Sequence, residues 1–63
     1  MKLRRALVKA RESKGLSQAD LAKRLNVSAG TVGGWESGTH SIRLGRLSAV
    51  AKALGIDVSE LLA

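Results

Sequence analysis

The chain has 63 residues, no cysteine and one histidine, which allows one small domain but excludes a disulfide framework and a cysteine–histidine metal site. Its 11 lysines and arginines outnumber 5 acidic residues and give a net charge of +6, which favours a polyanionic partner but also fits a solvated basic surface. No segment approaches the roughly 20 apolar residues of a membrane span, which excludes a membrane protein of that kind.

The first predicted helix covers about residues 2–14. Leu3, Leu7 and Ala10 recur on one face of this segment at helical spacing. Gly15 follows the helix, where a residue in the left-handed conformation commonly ends one. Charged residues interrupt this apolar stretch, so the basic N-terminus is not expected to begin a signal peptide.

The second predicted helix starts after Ser17 and ends near Leu25. Ser17 and Asp20 have the spacing of a capping box, in which each side chain accepts a hydrogen bond from the backbone of the other residue. Asn26 tolerates the left-handed turn that follows. The apolar face is predicted to consist of Leu21, Ala22 and Leu25.

The third predicted helix covers about residues 29–37, with Ser28 as its N-cap and Gly38 at its end. Val32 and Trp35 are three positions apart, so both can face the core. Helix, tight turn and helix in this order form a helix-turn-helix pattern, whose second helix usually enters the DNA major groove.

The fourth predicted helix covers about residues 43–54, and a short fifth helix follows Asp57. Ser41 is a candidate cap for the fourth helix, and Glu60 is the candidate capping-box partner of Asp57. The residues expected to face inward are Leu44, Leu47, Val50, Ala51 and Leu54 in the fourth helix and Leu61 and Leu62 in the fifth. The predicted fold class is therefore all-α, a compact five-helix domain covering residues 1–63.

Four stretches of the chain share a known pattern. They are residues 11–18 (RESKGLSQ), 21–22 (LA), 35–38 (WESG) and 51–56 (AKALGI). Together they resemble the phage repressor and Cro family of helix-turn-helix domains, and they extend over nearly the whole chain without a gap. The resemblance implies a repressor-like fold and double-stranded DNA as the partner, bound by a small transcriptional regulator or an engineered DNA binder.

The resemblance also assigns candidate DNA-binding residues. Gln18 matches a glutamine that lies against a phosphate and sometimes a base. The alternative is a polar first residue of a helix with no ligand. The other matching positions lie in the third helix and in the loop after it. They are Ser28, Ala29, Gly30, Thr31, Gly33 and Gly34 in the helix, and Thr39, His40, Ser41 and Arg43 in the loop.

The third helix departs from the family pattern on its outward face. Family members usually carry long polar side chains there, whereas Ala29, Gly30, Gly33 and Gly34 offer no side-chain donor or acceptor. One interpretation is that the helix backbone lies unusually deep in the groove, with Ser28 or Thr31 making the polar contact. The other is a repressor-fold interaction or structural domain with a stripped reading face. The glycines also fit a designed or engineered sequence.

Further expectations follow from the remaining polar and apolar residues. Arg11 and Glu36 match a family ion pair between the first and third helices, with two independent surface charges as the alternative. A homodimer through exposed faces around Ile56, Val58 and Leu62 and a monomer both stay open. No paired carboxylates or nucleophile–base pair points to an enzyme, and we expect no cofactor and a cytoplasmic location.

Overall fold

The computed structural model describes residues 2–62, with side chains for residues 3–62, so Met1 and Ala63 of the predicted domain lie outside the described residues. Five α-helices and no strand occur within residues 2–62, which confirms the all-α prediction. The helices are α1 (Lys2–Ser13), α2 (Gln18–Leu25), α3 (Ala29–Ser37), α4 (Leu44–Leu54) and α5 (Val58–Leu62). The predicted bounds agree with these to within one residue or so.

Side-chain caps fix where α2 and α3 begin. The Ser17 hydroxyl accepts a hydrogen bond from the Asp20 backbone N–H (3.0 Å), and the Asp20 carboxylate accepts one from the Ser17 N–H (2.9 Å), which completes the predicted capping box. Ser28 caps α3 by accepting from the Thr31 N–H at 3.1 Å. Both caps satisfy amide groups that have no partner within the helix.

Left-handed residues follow the first four helices, beginning with Gly15 (φ 69°) after α1, whose N–H donates to the Glu12 carbonyl. Asn26 (φ 58°), Gly38 (φ 87°) and Gly55 (φ 71°) follow α2, α3 and α4, as the sequence predicts. At each position the backbone N–H turns back to a carbonyl of the preceding helix. Only three residues separate α2 from α3, so this turn fixes the angle between them.

Each helix contributes to one hydrophobic core. Trp35, the only aromatic residue of the chain, is 4% exposed and is the largest apolar side chain in the core, as predicted. Helices α2 and α3 pack extensively against each other, and the small side chain of Ala22 is buried between its neighbours. The buried residues are Leu7, Leu21, Ala22, Val32, Trp35, Leu47, Val50, Ala51, Leu54 and Leu61.

Three predictions about α4 and α5 are wrong. Leu44 is 84% exposed because it is the first residue of α4, and its side chain leans back toward the N-terminus and away from the core. Leu62 is 60% exposed because Leu61, one position earlier, occupies the inward direction of the short α5. Ser41 does not cap α4, since Arg43 is its N-cap and makes no side-chain capping hydrogen bond.

Candidate nucleic-acid interface

The N-terminal half of α3 presents to solvent residues that have a short side chain or none. Ala29 and Gly30 are exposed, and Gly33 is half-buried. Next to them the Ser28 and Thr31 hydroxyls are hydrogen-bonded to each other at 2.9 Å. Because each hydroxyl both donates and accepts, these two side chains keep capacity for a further polar contact. This surface therefore lets another molecule approach the helix backbone closely.

Gln18, the first residue of α2, lies beside Gly33. A β-carbon on Gly33 would come within 3.3 Å of the Gln18 side-chain oxygen. The Gln18 side-chain nitrogen donates a 2.9 Å hydrogen bond to the Glu36 carboxylate. Since an ionised carboxylate only accepts hydrogen bonds, this contact fixes which end of the Gln18 amide points toward Gly33. The absence of a side chain at Gly33 thus leaves room for the amide beside α3.

Glu36 also forms the predicted ion pair with Arg11. The guanidinium donates to both carboxylate oxygens, at 2.6 and 3.1 Å, and to the Leu16 carbonyl at 2.7 Å. Only 12% of the Arg11 side chain and 8% of the Glu36 side chain are exposed, so this is not a pair of independent surface charges. The network joins α1, the start of α2 and α3, and so sets the orientation of α3.

Contacts within this network shift the pKa values of both Glu36 and Arg11. Burial disfavours ionised Glu36, but hydrogen bonds from Arg11 and Gln18 outweigh it and leave the pKa of Glu36 below its usual range. The hydrogen bond to Glu36 raises the pKa of Arg11 further. Both groups are therefore ionised at neutral pH, and the pair is a charge-assisted, two-point contact.

Gly34 does not lie on the open face of α3, contrary to the prediction. It is buried, because the His40 ring lies against it so closely that a β-carbon on Gly34 would overlap the imidazole. The His40 backbone N–H also donates to the Gly34 carbonyl, at 3.0 Å. The loop after α3 therefore folds back onto the helix at this glycine, and His40 covers it.

The polar loop after α3 continues this surface. Thr39, His40, Ser41 and Arg43 are all exposed, as expected for residues that meet a ligand from solvent. The Thr39 and Ser37 hydroxyls are 2.9 Å apart, which ties the loop to the last turn of α3. Gln18 therefore lies against Gly33 and His40 against Gly34, and Thr39 contacts the last turn of α3.

Two arginines form hydrogen bonds to helix ends, which the sequence did not predict. Arg4 donates to the Ser37 carbonyl at the end of α3 (2.8 Å), and Arg24 donates to the Ala53 carbonyl near the end of α4 (3.0 Å). A cation near the last carbonyls of a helix satisfies them and complements the helix dipole. The partners are separated by 33 positions in the first contact and by 29 in the second. Helical spacing relates only residues three or four positions apart, so it could not reveal these contacts.

The comparison with protein families agrees with this geometry. A family model described as helix-turn-helix matches residues 7–61, which is most of the chain. The chain belongs to the Cro/C1-type helix-turn-helix family. No curated protein and no solved structure matched.

Membership of the helix-turn-helix family gives the coarse function. The family consists of DNA-binding regulators of transcription, and it is a regulatory rather than an enzymatic family. Double-stranded DNA is accordingly the partner that the family implies. Among residues 2–62, no helix has the length and apolar character to cross a membrane.

Proposed function

We propose that this helix-turn-helix domain binds double-stranded DNA with the N-terminal half of α3 in the major groove. The observation that carries the proposal is the open surface of Ala29, Gly30 and Gly33 beside the polar side chains of Gln18 and Ser28. Without long side chains on this face, the helix backbone can approach the base pairs closely. The Ala29 methyl group can then pack against a thymine methyl group.

Gln18 supplies polar capacity beside the bare helix. Its nitrogen is already bound to Glu36, so its oxygen is fixed as an acceptor beside Gly33, and the second amide hydrogen stays available as a donor. Phosphates only accept hydrogen bonds, whereas adenine and cytosine present amino donors in the major groove. Gln18 can therefore donate to a phosphate or accept from a base, and Arg11 and Glu36 hold it in place for either contact.

The loop supplies contacts to the DNA backbone. Thr39, Ser41 and Arg43 are exposed and carry donors suited to phosphate oxygens, with Arg43 as the cation. Phosphate contacts of this kind position a protein on the duplex without reading its sequence. The net charge of +6 provides the long-range attraction that brings the domain to DNA.

Selection from a randomised duplex library at two salt concentrations tests the proposal, with Arg43→Ala and Gln18→Ala as comparison variants. We expect an enriched motif, with affinity that falls steeply as salt rises. Arg43→Ala should weaken binding to all duplexes and reduce the salt slope by about 1. Lys9→Ala is a matched control that also removes one exposed cation, from the groove between α1 and α5, and it should retain the affinity.

Two other results of this selection would contradict the proposal. Salt-sensitive binding without an enriched motif would contradict a base-reading role for α3 and leave a basic domain that holds phosphates. An absence of binding at low salt would contradict DNA recognition and favour a repressor-fold interaction or structural domain. The glycines at 33 and 34 do not by themselves favour that alternative, because each accommodates a neighbouring polar side chain.

The oligomeric state belongs to the same proposal. The exposed Leu62 and the half-buried Ile56 and Val58 lie in and around α5, where a homodimer would bury them, and a monomer is the alternative. A dimer requires two half-sites about one helical turn apart, whereas a monomer requires one. Binding stoichiometry on duplexes with one and two copies of the motif separates these states. A DNA regulator acts where the DNA is, which keeps the cytoplasm as the proposed location.

A further inference from the structure

We propose that His40 reads a base edge in place of the side chain that α3 lacks at Gly34. This inference rests on the proposed DNA binding and assigns one further specificity-determining residue to it. The chemical class of its target is a purine edge in the major groove. Both purines present the N7 acceptor there, and guanine adds the O6 acceptor.

The His40 ring lies at the surface of α3. The His40 imidazole occupies the volume in which a side chain of residue 34 would begin, since a β-carbon there would overlap it. The His40 N–H bound to the Gly34 carbonyl holds the loop backbone at the same point. His40 therefore presents its ring from the surface of α3, although it belongs to the loop.

Gly34 lies next to the outward side of α3. Gly34 follows Gly33 and lies one turn after Gly30. Gly30 and Gly33 border the outward side of α3, so Gly34 lies beside that side. Because residues four positions apart are neighbours on a helix surface, a molecule against the exposed Gly30 also comes close to the ring on Gly34. Bases lie nearer to a helix inserted in the groove than phosphates do, and the ring lies against the helix itself.

The imidazole of His40 has the hydrogen-bond chemistry that a purine edge requires. His40 is exposed although its ring packs on Gly34, so a ligand at the surface of α3 can reach this side chain. An imidazole N–H donates to acceptors such as N7 or O6 and supplies the donor that the glycine-rich face lacks. The glycine and the histidine thus work as one unit, in which Gly34 supplies space and His40 supplies the hydrogen bond.

Binding by the complete chain and its variants tests this assignment, with the duplex motif first taken from wild-type selection. We expect His40→Ala to lower affinity for the preferred duplex by about tenfold and to remove the preference at one base pair. Its salt slope should match that of the wild type, because no phosphate contact is lost. Gly34→Ala should reproduce this loss, since its β-carbon displaces the ring, with no fall in Tm.

Gly45→Ala is the matched control, since it also replaces a helical glycine but meets no atom within 4 Å. It should retain the base preference of the wild type. An equal loss for all duplexes with a smaller salt slope would overturn the inference and make His40 a phosphate contact. An unchanged motif in both His40→Ala and Gly34→Ala would also overturn it, while DNA binding itself stands. Absence of salt-sensitive binding by the wild type would instead overturn the proposed function and this inference together.

Discussion

Helices α2 and α3 have similar ends but different outward faces. Both begin at a serine N-cap, both end at a left-handed residue, and they contain 8 and 9 residues. The outward side of α2 carries Lys23 and Arg24, whereas that of α3 carries Ala29 and Gly30. The caps and buried faces therefore meet the needs of the fold in both helices, and the outward faces are left to other requirements.

The difference also shows what holds α3 in place. Its glycines at 30, 33 and 34 each cost about 1 kcal/mol of helix stability relative to alanine, whereas α2 contains no glycine. Helix α3 therefore depends on contacts beyond its own backbone: the packing of Trp35 in the core, the Arg11–Glu36 ion pair and the Ser28 cap. Variants that weaken each support in turn test this account.

The largest effect is expected from the core anchor of α3. Trp35→Ala should reduce the free energy of unfolding by about 3–5 kcal/mol, since it removes the largest buried side chain of a thin core. A loss of this size approaches the total stability of a small domain. Chemical denaturation followed by circular dichroism measures it. Lys23→Ala on the exposed face of α2 is the control and should change stability by less than about 0.5 kcal/mol.

The ion pair should rank next. Glu36→Ala leaves the Arg11 guanidinium mostly buried without its carboxylate, and we expect a loss of about 2–3 kcal/mol. A double-mutant cycle with Arg11→Met isolates the coupling between the two side chains. A coupling below about 0.5 kcal/mol would mean that the pair behaves as a solvated one and does not support α3.

Acid should weaken the same support. Because the pKa of Glu36 is lowered in the folded protein, its ionised form stabilises the fold above the ordinary carboxyl pKa. This contribution is lost as pH falls below about 4. The pKa of Asp20 is lowered too, by hydrogen bonds from Ser17, so it adds to the acid sensitivity. Unfolding of wild type and Glu36→Gln between about pH 3 and pH 6 should give a shallower pH dependence for the variant.

The two caps compare α2 and α3 directly. Ser17→Ala and Ser28→Ala should each cost about 1 kcal/mol. The Ser28 variant should fray α3 more than the Ser17 variant frays α2, because the glycines leave α3 with less intrinsic helix stability. Amide hydrogen exchange measures fraying in each helix. Equal protection losses in the two helices would contradict the claim that α3 depends more on its neighbours.

The smallest effect is a gain in stability. Gly30→Ala should raise the free energy of unfolding by about 0.5–1 kcal/mol, since the nearest atom to the added β-carbon is the Ser28 hydroxyl at 3.8 Å. Gly45→Ala in α4 should give a similar gain. If the outward face of α3 enters the groove, only Gly30→Ala alters DNA affinity. Thermal melts and binding titrations of the two variants provide this comparison.

Local patterns in the sequence account for most of the fold. Capping residues such as Ser17 and left-handed residues such as Asn26 act within a few positions, so spacing alone locates the helix ends. The exposure of Leu44 was missed because a helical face does not reveal where along its axis the core ends. The N-cap of α4 was also mispredicted. Ser41 has the chemistry of a cap, but Arg43 occupies the N-cap position.

The candidate site was less predictable because its contacts join distant residues. The resemblance to the helix-turn-helix family assigned both Gly33 and Gly34 to the outward face of α3. It could not reveal that Gln18 lies beside one glycine and that His40 covers the other, because both contacts come from outside α3. Side chains that fold over a helix from other elements change its surface without changing its pattern.

The most direct test is an NMR titration of the ¹⁵N-labelled chain with its selected duplex, followed at backbone amides. The glycines of α3 lie on the proposed interface, whereas the groove between α1 and α5, lined by Lys9 and Glu60, lies outside it. The account predicts large shift changes at Gly30, Gly33 and His40 and small ones at Lys9 and Glu60. Large changes confined to the α1–α5 groove, with the α3 glycines unmoved, would contradict it.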